Sequence, residues 1–594
     1  MENTVAGLFK ERVSKTPDKP ALSYKEGTEW KTITWQHYSD RVDEFARSLM
    51  ALGVKPRDKV ALIGTNTPEW FYADMGIMTM GASTVPVYGT NSGDQIIYIL
   101  KHSESKVFIV EDISYFERIA GRLSEIPALK YVVVIRGSVP EPKGLVLSFN
   151  EFAALKEKTP IEDLQKIREQ IKPEDIDTLL YTSGTTGQPK AVMLTNLNST
   201  TAGKNVDLTM NLKNVQITSP CYLPLSHVAE RTVNLFYALY SGQITYFLGG
   251  YDKFKESLAE IRPTMWMGVP RVWEKLYEGV MGYRASLPEN KKKMIDWALS
   301  VGSDYNQRKY KKETISPILA AKYAIARALV IKKLLRALGL DRTIVFVTGG
   351  APTHAETLNF YISIGIWLQD VYGQTEGHGT TSFAQRGDVR FGSAGKPYPL
   401  TKVELAPDGE ILVKGDNVSP GYYKDPELTK ETLKDGWLYS GDIGRFDEDG
   451  FLWVTGRKKD IIITSGGKNI TPAKIETMLL EQPLIEIAVV VGDARKYLTC
   501  LITINDEAAR KFASEKGLKE QSYAEIIGSV EVKNAIDNHI ESVNAKLSRV
   551  EQIKAFKILP QPFSQEGGEL TPTLKLKKFI VQKKYAKEID EMYQ

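Results

Sequence analysis

The sequence predicts an α/β protein: a large N-terminal domain of α/β subdomains with a small β-barrel-like subdomain, followed by a smaller α+β C-terminal domain. Three observations carry that prediction. Short β-branched runs alternate with helical patterns over most of the chain, which is the signature of βαβ units around parallel sheet. From about Thr401 the texture changes to short strands punctuated by turns. The charged stretch Arg457-Lys458-Lys459-Asp460 then separates this region from a second, shorter alternation of strands and helices.

Taken in order, residues 60–63 are followed by the pattern around 70–80, residues 96–100 by 107–110, and 132–135 continue the series. Residues 343–348 (TIVFVT) read as a further buried strand, ending at Gly349 and Gly350. Turn signals at Pro407-Asp408-Gly409, Lys434-Asp435-Gly436 and Asp447-Glu448-Asp449-Gly450 predict a small antiparallel or barrel-like unit. The second unit holds strands at 487–491, 500–504 and 556–559 and a helical pattern at 530–547, so the domains are placed at 1–458 and 459–594.

Composition narrows the function classes. With 594 residues, 42% hydrophobic and 25% charged, 46 Gly and 28 Pro, the chain can bury a large core and is neither disordered, collagen-like nor coiled-coil. The 77 Lys/Arg against 73 Asp/Glu leave +4, which does not point to nucleic acid as a partner. Cys221 and Cys500 cannot form a disulfide framework and suit a reducing compartment. The six histidines show no metal-site spacing. The N-terminal segment has no apolar block of signal-peptide type, and residues 233–248 are interrupted by Asn234, Ser241, Gly242 and Gln243, short of the roughly 18 apolar residues of a membrane span. The expected location is the cytoplasm, with peripheral contact at a membrane surface left open.

The sharpest local feature runs from Leu179 to Lys190: a strand enters a loop containing Thr182, Ser183, Gly184, Thr185, Thr186, Gly187 and Lys190. Its glycines permit close backbone approach, its hydroxyls and N–H groups donate to anionic oxygens, and its lysine adds a point charge. Phosphate is the natural guest. The spacing is not that of a Walker A loop, and the plain alternative is a Gly/Thr-rich surface loop.

This loop resembles the phosphate-binding signature of the adenylate-forming superfamily, which includes acyl-CoA synthetases, luciferases and peptide-synthetase adenylation domains. Further segments resemble that family's other signatures in order: Tyr222-Leu223-Pro224-Leu225-Ser226-His227, then Gly349-Gly350-Ala351-Pro352, Asp370-Val371-Tyr372-Gly373-Gln374-Thr375-Glu376, and Gly436 to Asp442. Gly456 to Asp460 and Gly466-Gly467-Lys468-Asn469-Ile470 complete the series. The resemblance implies ATP, Mg²⁺ and coenzyme A as cofactors and a mobile C-terminal domain hinged at Lys459. It assigns the nucleotide to the loop and to Gly350, Ala351, Pro352, Asp370, Tyr372, Gly373, Asp442 and Arg457. Glu376 is assigned to the metal, Gly466 and Gly467 to coenzyme A, and Lys575, Thr375 and His227 to catalysis. The residue types make sense: Tyr372 offers an aromatic face to adenine, Asp370 an acceptor for its amine, Asp442 an acceptor for ribose hydroxyls.

Three positions depart from the family pattern. Ala191 replaces a common Gly, Asn196 a common His, and the C-terminal lysine segment is shortened to Leu570-Thr571-Pro572-Thr573-Leu574-Lys575-Leu576-Lys577-Lys578, a form that resembles long-chain fatty acyl-CoA synthetases. The register therefore lies between Lys575 and Lys577. The segment 262–275 resembles the acyl-tunnel lining of those enzymes, with Trp266, Gly268, Val269 and Pro270 as acyl-binding candidates; core aromatics are the plain alternative. An insertion near 284–342 points the same way. Within residues 281–340 there are 13 Lys/Arg against 4 Asp/Glu, and Ile331, Leu334, Leu335 and Leu338 at helical spacing suggest contact with an anionic leaflet, or else a helix packed on the domain. The implied activity is ligation of a long-chain fatty acid to coenzyme A with release of AMP and pyrophosphate. A fatty acyl-AMP ligase loading a carrier protein and a ligase for medium-chain or aryl acids are the alternatives; a luciferase-like oxygenase and a catalytically inert lipid-binding scaffold stand further off. Oligomeric state is not predicted.

Overall fold

The computed structural model describes residues 3–139, 144–182, 188–248, 254–351, 353–465, 468–517, 522–571 and 576–594. Its largest sheet has eight strands, in the spatial order Gly421–Tyr422, Lys190–Thr195, Ile176–Thr182, Ser83–Val87, Lys59–Ile63, Val107–Asp112, Tyr131–Arg136 and Val146–Ser148. The last six strands are parallel, Lys190–Thr195 runs antiparallel beside Ile176–Thr182, and Gly421–Tyr422 pairs antiparallel with Lys190–Thr195 at the edge. Ser83–Val87 is buried at every position, as a strand covered on both faces must be. Residues 96–100 lie within the helix Gly93–Ser103, which a Ser92/Gln95 capping box starts.

A second sheet is ordered Met265–Met267, Val345–Gly349, Gln369–Tyr372, Ser382–Phe383 and Lys396–Pro397, with the first three strands parallel. The strand expected at 343–348 is thus displaced by two residues at its start. A four-stranded sheet joins Thr218–Cys221 and Ile244–Phe247 to the N-terminal hairpin Pro20–Glu26 and Glu29–Thr34. The interrupted apolar stretch at 233–248 supplies the helix Tyr237–Ser241 and that strand to the core, and no helix among the described residues is long and apolar enough to cross a membrane.

The expected antiparallel unit is present as Lys402–Leu405, Glu410–Lys414, Trp437–Phe446, Leu433–Lys434 and Leu452–Arg457. In the C-terminal unit the central strand Leu498–Ile504 pairs antiparallel with Ile485–Val491 and parallel with Ile553–Ile558, and the helices Pro472–Leu479 and Val530–Asn544 contribute to its separate core of Ile475, Leu479, Val532 and Ile536.

A buried ion pair ties the large domain together. Arg231 and Asp74 have fully buried side chains, and Arg231 also donates to the Thr178 hydroxyl at 3.0 Å while Thr84 donates to Asp74 at 2.8 Å. Three elements are locked at one point: the helix Pro68–Thr79, the π-helical stretch Arg231–Phe236, and the strand leading to the phosphate-type loop.

Candidate active site

The site is assembled where the two large sheets and the small antiparallel sheet meet. Strand Gln369–Tyr372 delivers Asp370 and Tyr372; a close crossing then fixes the turn after it, because a Cβ on Gly373 would lie 2.4 Å from the carbonyl carbon of Gly379. That turn presents Thr375 and Glu376. Strand Gly421–Tyr422, paired with Lys190–Thr195, brings the Tyr422 hydroxyl to Glu376, to which it donates at 2.6 Å. Ser419 N–H donates to the Glu376 carbonyl at 2.8 Å, so backbone and side chain of Glu376 are both held by this segment.

Asp442 and Arg457 are opposite each other across the antiparallel pair Trp437–Phe446 and Leu452–Arg457. Arg457 Nε donates to Asp442 Oδ1 at 2.9 Å, and the Tyr372 hydroxyl donates to Oδ2 at 2.7 Å. The cluster Tyr372, Asp442 and Arg457 therefore forms one hydrogen-bonded unit, made of three residues that the family resemblance assigns to the nucleotide. Burial, reinforced by the neighbouring Asp442 charge, pushes the Tyr372 phenol well above its ordinary range and keeps it a donor. Asp370 is pushed up to about 8 by desolvation, so at neutral pH it meets its surroundings as a neutral carboxyl that can donate as well as accept.

Behind the site lies a buried relay. His378 is enclosed, with Nε2 3.2 Å from Ser199 Oγ and Nδ1 3.1 Å from Thr232 Oγ1, and Thr232 also donates to the His378 carbonyl at 3.2 Å. Burial lowers this imidazole to about 3. His227 accepts from Ala229 N–H at 3.2 Å and starts the short helix bearing Val228, whose side chain lies against Gly379. The second motif is thereby packed on the turn that follows Glu376. Glu230 accepts from Tyr222 N–H and from Asn234 Nδ2, both at 3.0 Å, and desolvation pushes it up to about 7.

Thr182 and Lys190 face each other at the mouth of the hairpin, and Gly350 takes a φ of +83° with open space where a side chain would project. Ala351 is exposed beside it. Ser183, Gly184, Thr185, Thr186, Gly187, Pro352, Gly466, Gly467 and Lys575 lie outside the described residues. Lys459 is exposed in the turn Lys458–Asp460, which Lys458 fastens to the small sheet through Asp408 and Glu410. Lys577 donates its backbone N–H to Glu569, and Lys578 pairs with Glu476 at 2.8 Å.

The acyl candidates divide. Trp266 and Trp273 are fully buried with ring centroids 4.2 Å apart, and Trp273 donates to the carbonyls of Gly268 and Val347. Gly268 has the indole of Trp273 where a Cβ would be, 2.9 Å away. Val269 is exposed and Pro270 opens the helix Pro270–Ala285. Asn196, one of the departures, is structural: its side chain accepts from Val5 N–H and donates to Asp175, tying the N-terminal helix to the large sheet.

Sequence reading missed Tyr422, His378, Ser199, Thr232 and Glu230. The run Gly377-His378-Gly379 just beyond Glu376 was the one available signal, since glycines on both sides permit a tight turn, in which His378 takes a φ of +52°. Glu376 provides a hard carboxylate with one oxygen engaged by Tyr422, and no cluster of three or more His, Cys, Asp or Glu is found among the described residues. That donor set fits Mg²⁺, which takes one or two carboxylates plus substrate phosphate and water, and does not fit a dedicated protein cage.

A fold of this kind, with a tyrosine–carboxylate–arginine unit beside a glycine-rich hairpin, defines a nucleotide-using enzyme that forms adenylates. Residues 9–423 match the family described as AMP-binding enzyme and residues 459–594 match the AMP-binding enzyme C-terminal domain, and the chain belongs to that family. Long-chain-fatty-acid–CoA ligase ACSBG2 of Xenopus laevis is 37% identical, with 100% of this chain and 84% of that protein covered. Long-chain-fatty-acid–CoA ligase FadD15 of Mycobacterium tuberculosis is 33% identical, with 100% and 97% covered. Among solved structures, the anthranilate CoA ligase AuaEII in complex with anthranoyl-AMP aligns with a TM-score of 0.72 at 18% identity, covering 99% of this chain and 98% of that one. The A domain of carboxylic acid reductase from Segniliparus rugosus, in complex with AMP and a carboxylic acid, aligns with a TM-score of 0.72 at 20% identity, covering 99% and 94%. Identities at that level speak for the fold alone.

Proposed function

We propose that the protein is an AMP-forming ligase that joins a long-chain fatty acid to coenzyme A in two steps. The observation that carries the adenylating step is the convergence of Tyr372, Asp442 and Arg457 beside Glu376; the long-chain acid and the coenzyme A acceptor rest on similarity along the whole chain to ligases of that name. A carboxylate is a poor electrophile. In the first step a carboxylate oxygen attacks the α-phosphorus of ATP and pyrophosphate leaves; in the second the thiolate attacks the acyl carbonyl and AMP leaves.

Each residue then has a task. Tyr372 lies against adenine with Asp370 at its polar edge, Asp442 and Arg457 take the ribose, and Gly350, Ala351 and Pro352 with Gly373 shape the base pocket. The loop Ser183 to Gly187 with Thr182 and Lys190 holds the phosphates, and Thr375 donates to the reacting phosphate. Glu376 would hold the Mg²⁺ that accompanies ATP, and that ion would supply charge neutralisation at the phosphate oxygens. Tyr422 fixes that carboxylate. Positioning and charge neutralisation supply most of the rate in such phosphoryl chemistry. His227 lines the acyl side, with Trp266, Gly268, Val269 and Pro270 shaping the pocket for the alkyl chain. Lys575 bridges the carboxylate and the α-phosphate in the first step. The C-terminal domain, 459–594, then turns about Lys459 to bring Gly466 and Gly467 toward coenzyme A, excluding water from the adenylate in both poses. The reaction takes place in the cytoplasm, with peripheral contact at an anionic membrane surface where such acids partition.

A panel of carboxylic acids assayed for AMP release with and without coenzyme A tests this reading. Long-chain acids should give AMP and a thioester only when coenzyme A is present at turnover. AMP release indifferent to coenzyme A, or a preference for aryl acids, would contradict it.

A further inference from the structure

Fourteen large hydrophobic side chains are exposed among the described residues, and six of them fall between Tyr283 and Leu329: Tyr283, Met294, Trp297, Ile318, Ile325 and Leu329. That concentration is far above chance for so short a segment, and isolated exposed apolar residues elsewhere on the surface need no explanation. The segment forms two long helical stretches, Glu289–Tyr310 and one from Pro317 through Ala337, held side by side by the stacked rings of Tyr305 and Tyr323 at 4.0 Å.

Of the two readings of the stripe at Ile331, Leu334, Leu335 and Leu338, the structure agrees with a helix packed on the domain. Ile331 and Leu338 are buried and Leu334 and Leu335 partly so, in the same core as Trp266 and Trp273. The physical reason is that four aliphatic side chains at helical spacing form one apolar face, and that face is taken out of water by packing on the domain. The outward residues are instead Ile318 at 70% exposure, Ile325 at 53% and Leu329 at 47%. The hairpin thus buries one apolar face on the core that holds the acyl candidates and leaves another bare.

Charge identifies what covers the bare face. Arg284, Arg308 and Arg336 are engaged with Asp296, Asp304 and Asp341. The other ten cations of residues 281–340, among them Lys322, Lys332 and Lys333, have no carboxylate partner among the described residues. A helical surface that combines exposed aromatic and aliphatic residues with unpaired lysines is complementary to an anionic lipid leaflet. We infer that this helical hairpin seats the protein on an anionic bilayer, placing the core around Trp266 and Trp273 next to a membrane-dissolved acid. The inference deepens the proposed function and rests on it only for the identity of the acid delivered.

Co-sedimentation of the full chain with vesicles of phosphatidylcholine alone, and of phosphatidylcholine mixed with phosphatidylglycerol, tests it at low and high salt. Each lysine at an anionic surface contributes roughly fivefold to partitioning. Binding should therefore require phosphatidylglycerol, weaken with salt, and fall at least about tenfold in Lys332→Glu/Lys333→Glu. The pair Ile325→Ser/Leu329→Ser, at exposed positions, should also lose binding while thioester formation from detergent-dispersed acid is unchanged. Equal binding to both vesicle types, or wild-type binding by both variants, would overturn the assignment. A soluble dimer that Ile325→Ser/Leu329→Ser splits, with no vesicle binding, would give the face to a second copy and overturn it as well. Vesicle binding with no acid activated would instead count against the ligase reading alone.

Discussion

Two side chains that never need to touch substrate govern how the site is held. The Tyr422 hydroxyl donates to Glu376, fixing one carboxylate oxygen and leaving the other side of the group to a cation. A hydrogen bond to a charged group contributes about 1.5–3 kcal/mol, so Tyr422→Phe should raise the Mg²⁺ concentration for half-maximal ATP–pyrophosphate exchange by about tenfold or more, with thermal stability nearly unchanged. Glu376→Ala should abolish that dependence together with most of the rate, and Lys190→Ala should slow exchange by about 10²- to 10³-fold without altering it. His378 acts through pH. Its folded value of about 3 lies below the ordinary histidine value of about 6.5, so the unfolded chain takes up a proton first. Stability contributed by the neutral ring is therefore complete above about pH 6.5 and is lost as pH falls toward 3. His378→Gln should lose less melting temperature than the parent between neutral pH and pH 4.5. Glu230, pushed up to about 7, works in the opposite direction and is lost as a stabilising neutral carboxyl as pH rises through that value. Sequence could name Glu376 because it sits in a dense local pattern; it could not name Tyr422, whose partner is reached only through a two-residue strand pairing far along the chain.

At the scale of elements, the turn that carries the candidate catalytic residues is set by close backbone crossings. A side chain on Gly349 would meet the Val371 carbonyl oxygen at 2.5 Å, and one on Gly373 would meet the backbone of Gly379. Backbone cannot yield as a flexible side chain can. Gly373→Ala should push Thr375 and Glu376 out of register and slow adenylate formation by about 10²-fold or more, a loss read from single-turnover rates. Asp74→Asn tests the other fastening point: leaving Arg231 charged and unpaired in the core should cost about 3–5 kcal/mol, seen in denaturant unfolding. The parallel strands were legible because continuous β-branched runs can only be covered on both faces, and the small sheet because its turns are marked by Asp-Gly. Which apolar residues of the 317–338 stretch face outward was not, since Ile318, Ile325 and Leu329 are exposed while Ile331 and Leu338 are buried, and composition alone does not separate the two sets.

The whole molecule is a large and a small unit joined at the turn Lys458–Asp460, and contact there is tight: a Cβ on Gly456 would lie 2.4 Å from the Thr471 side chain. Lys458 is anchored on the large unit, while Asp460 lies 3.9 Å from Lys578 of the small one, so Lys459 stands between two fixed ends. Lys459→Pro, which restrains φ near −65°, should spare adenylation and lose transfer to coenzyme A. Lys575→Ala should do the reverse, and loss in Lys577→Ala instead would correct the register. The order of motifs suggested two units; the motion proposed for the smaller one would be a property of two poses and has no pattern in a single chain. Beneath all of this is one claim, that a fatty acid's carboxylate attacks the α-phosphorus of ATP. Fatty acid labelled with ¹⁸O in its carboxylate, turned over with ATP and coenzyme A, tests it by mass spectrometry of the products. The account predicts one labelled oxygen in AMP and none in pyrophosphate; unlabelled AMP with thioester formed would contradict it.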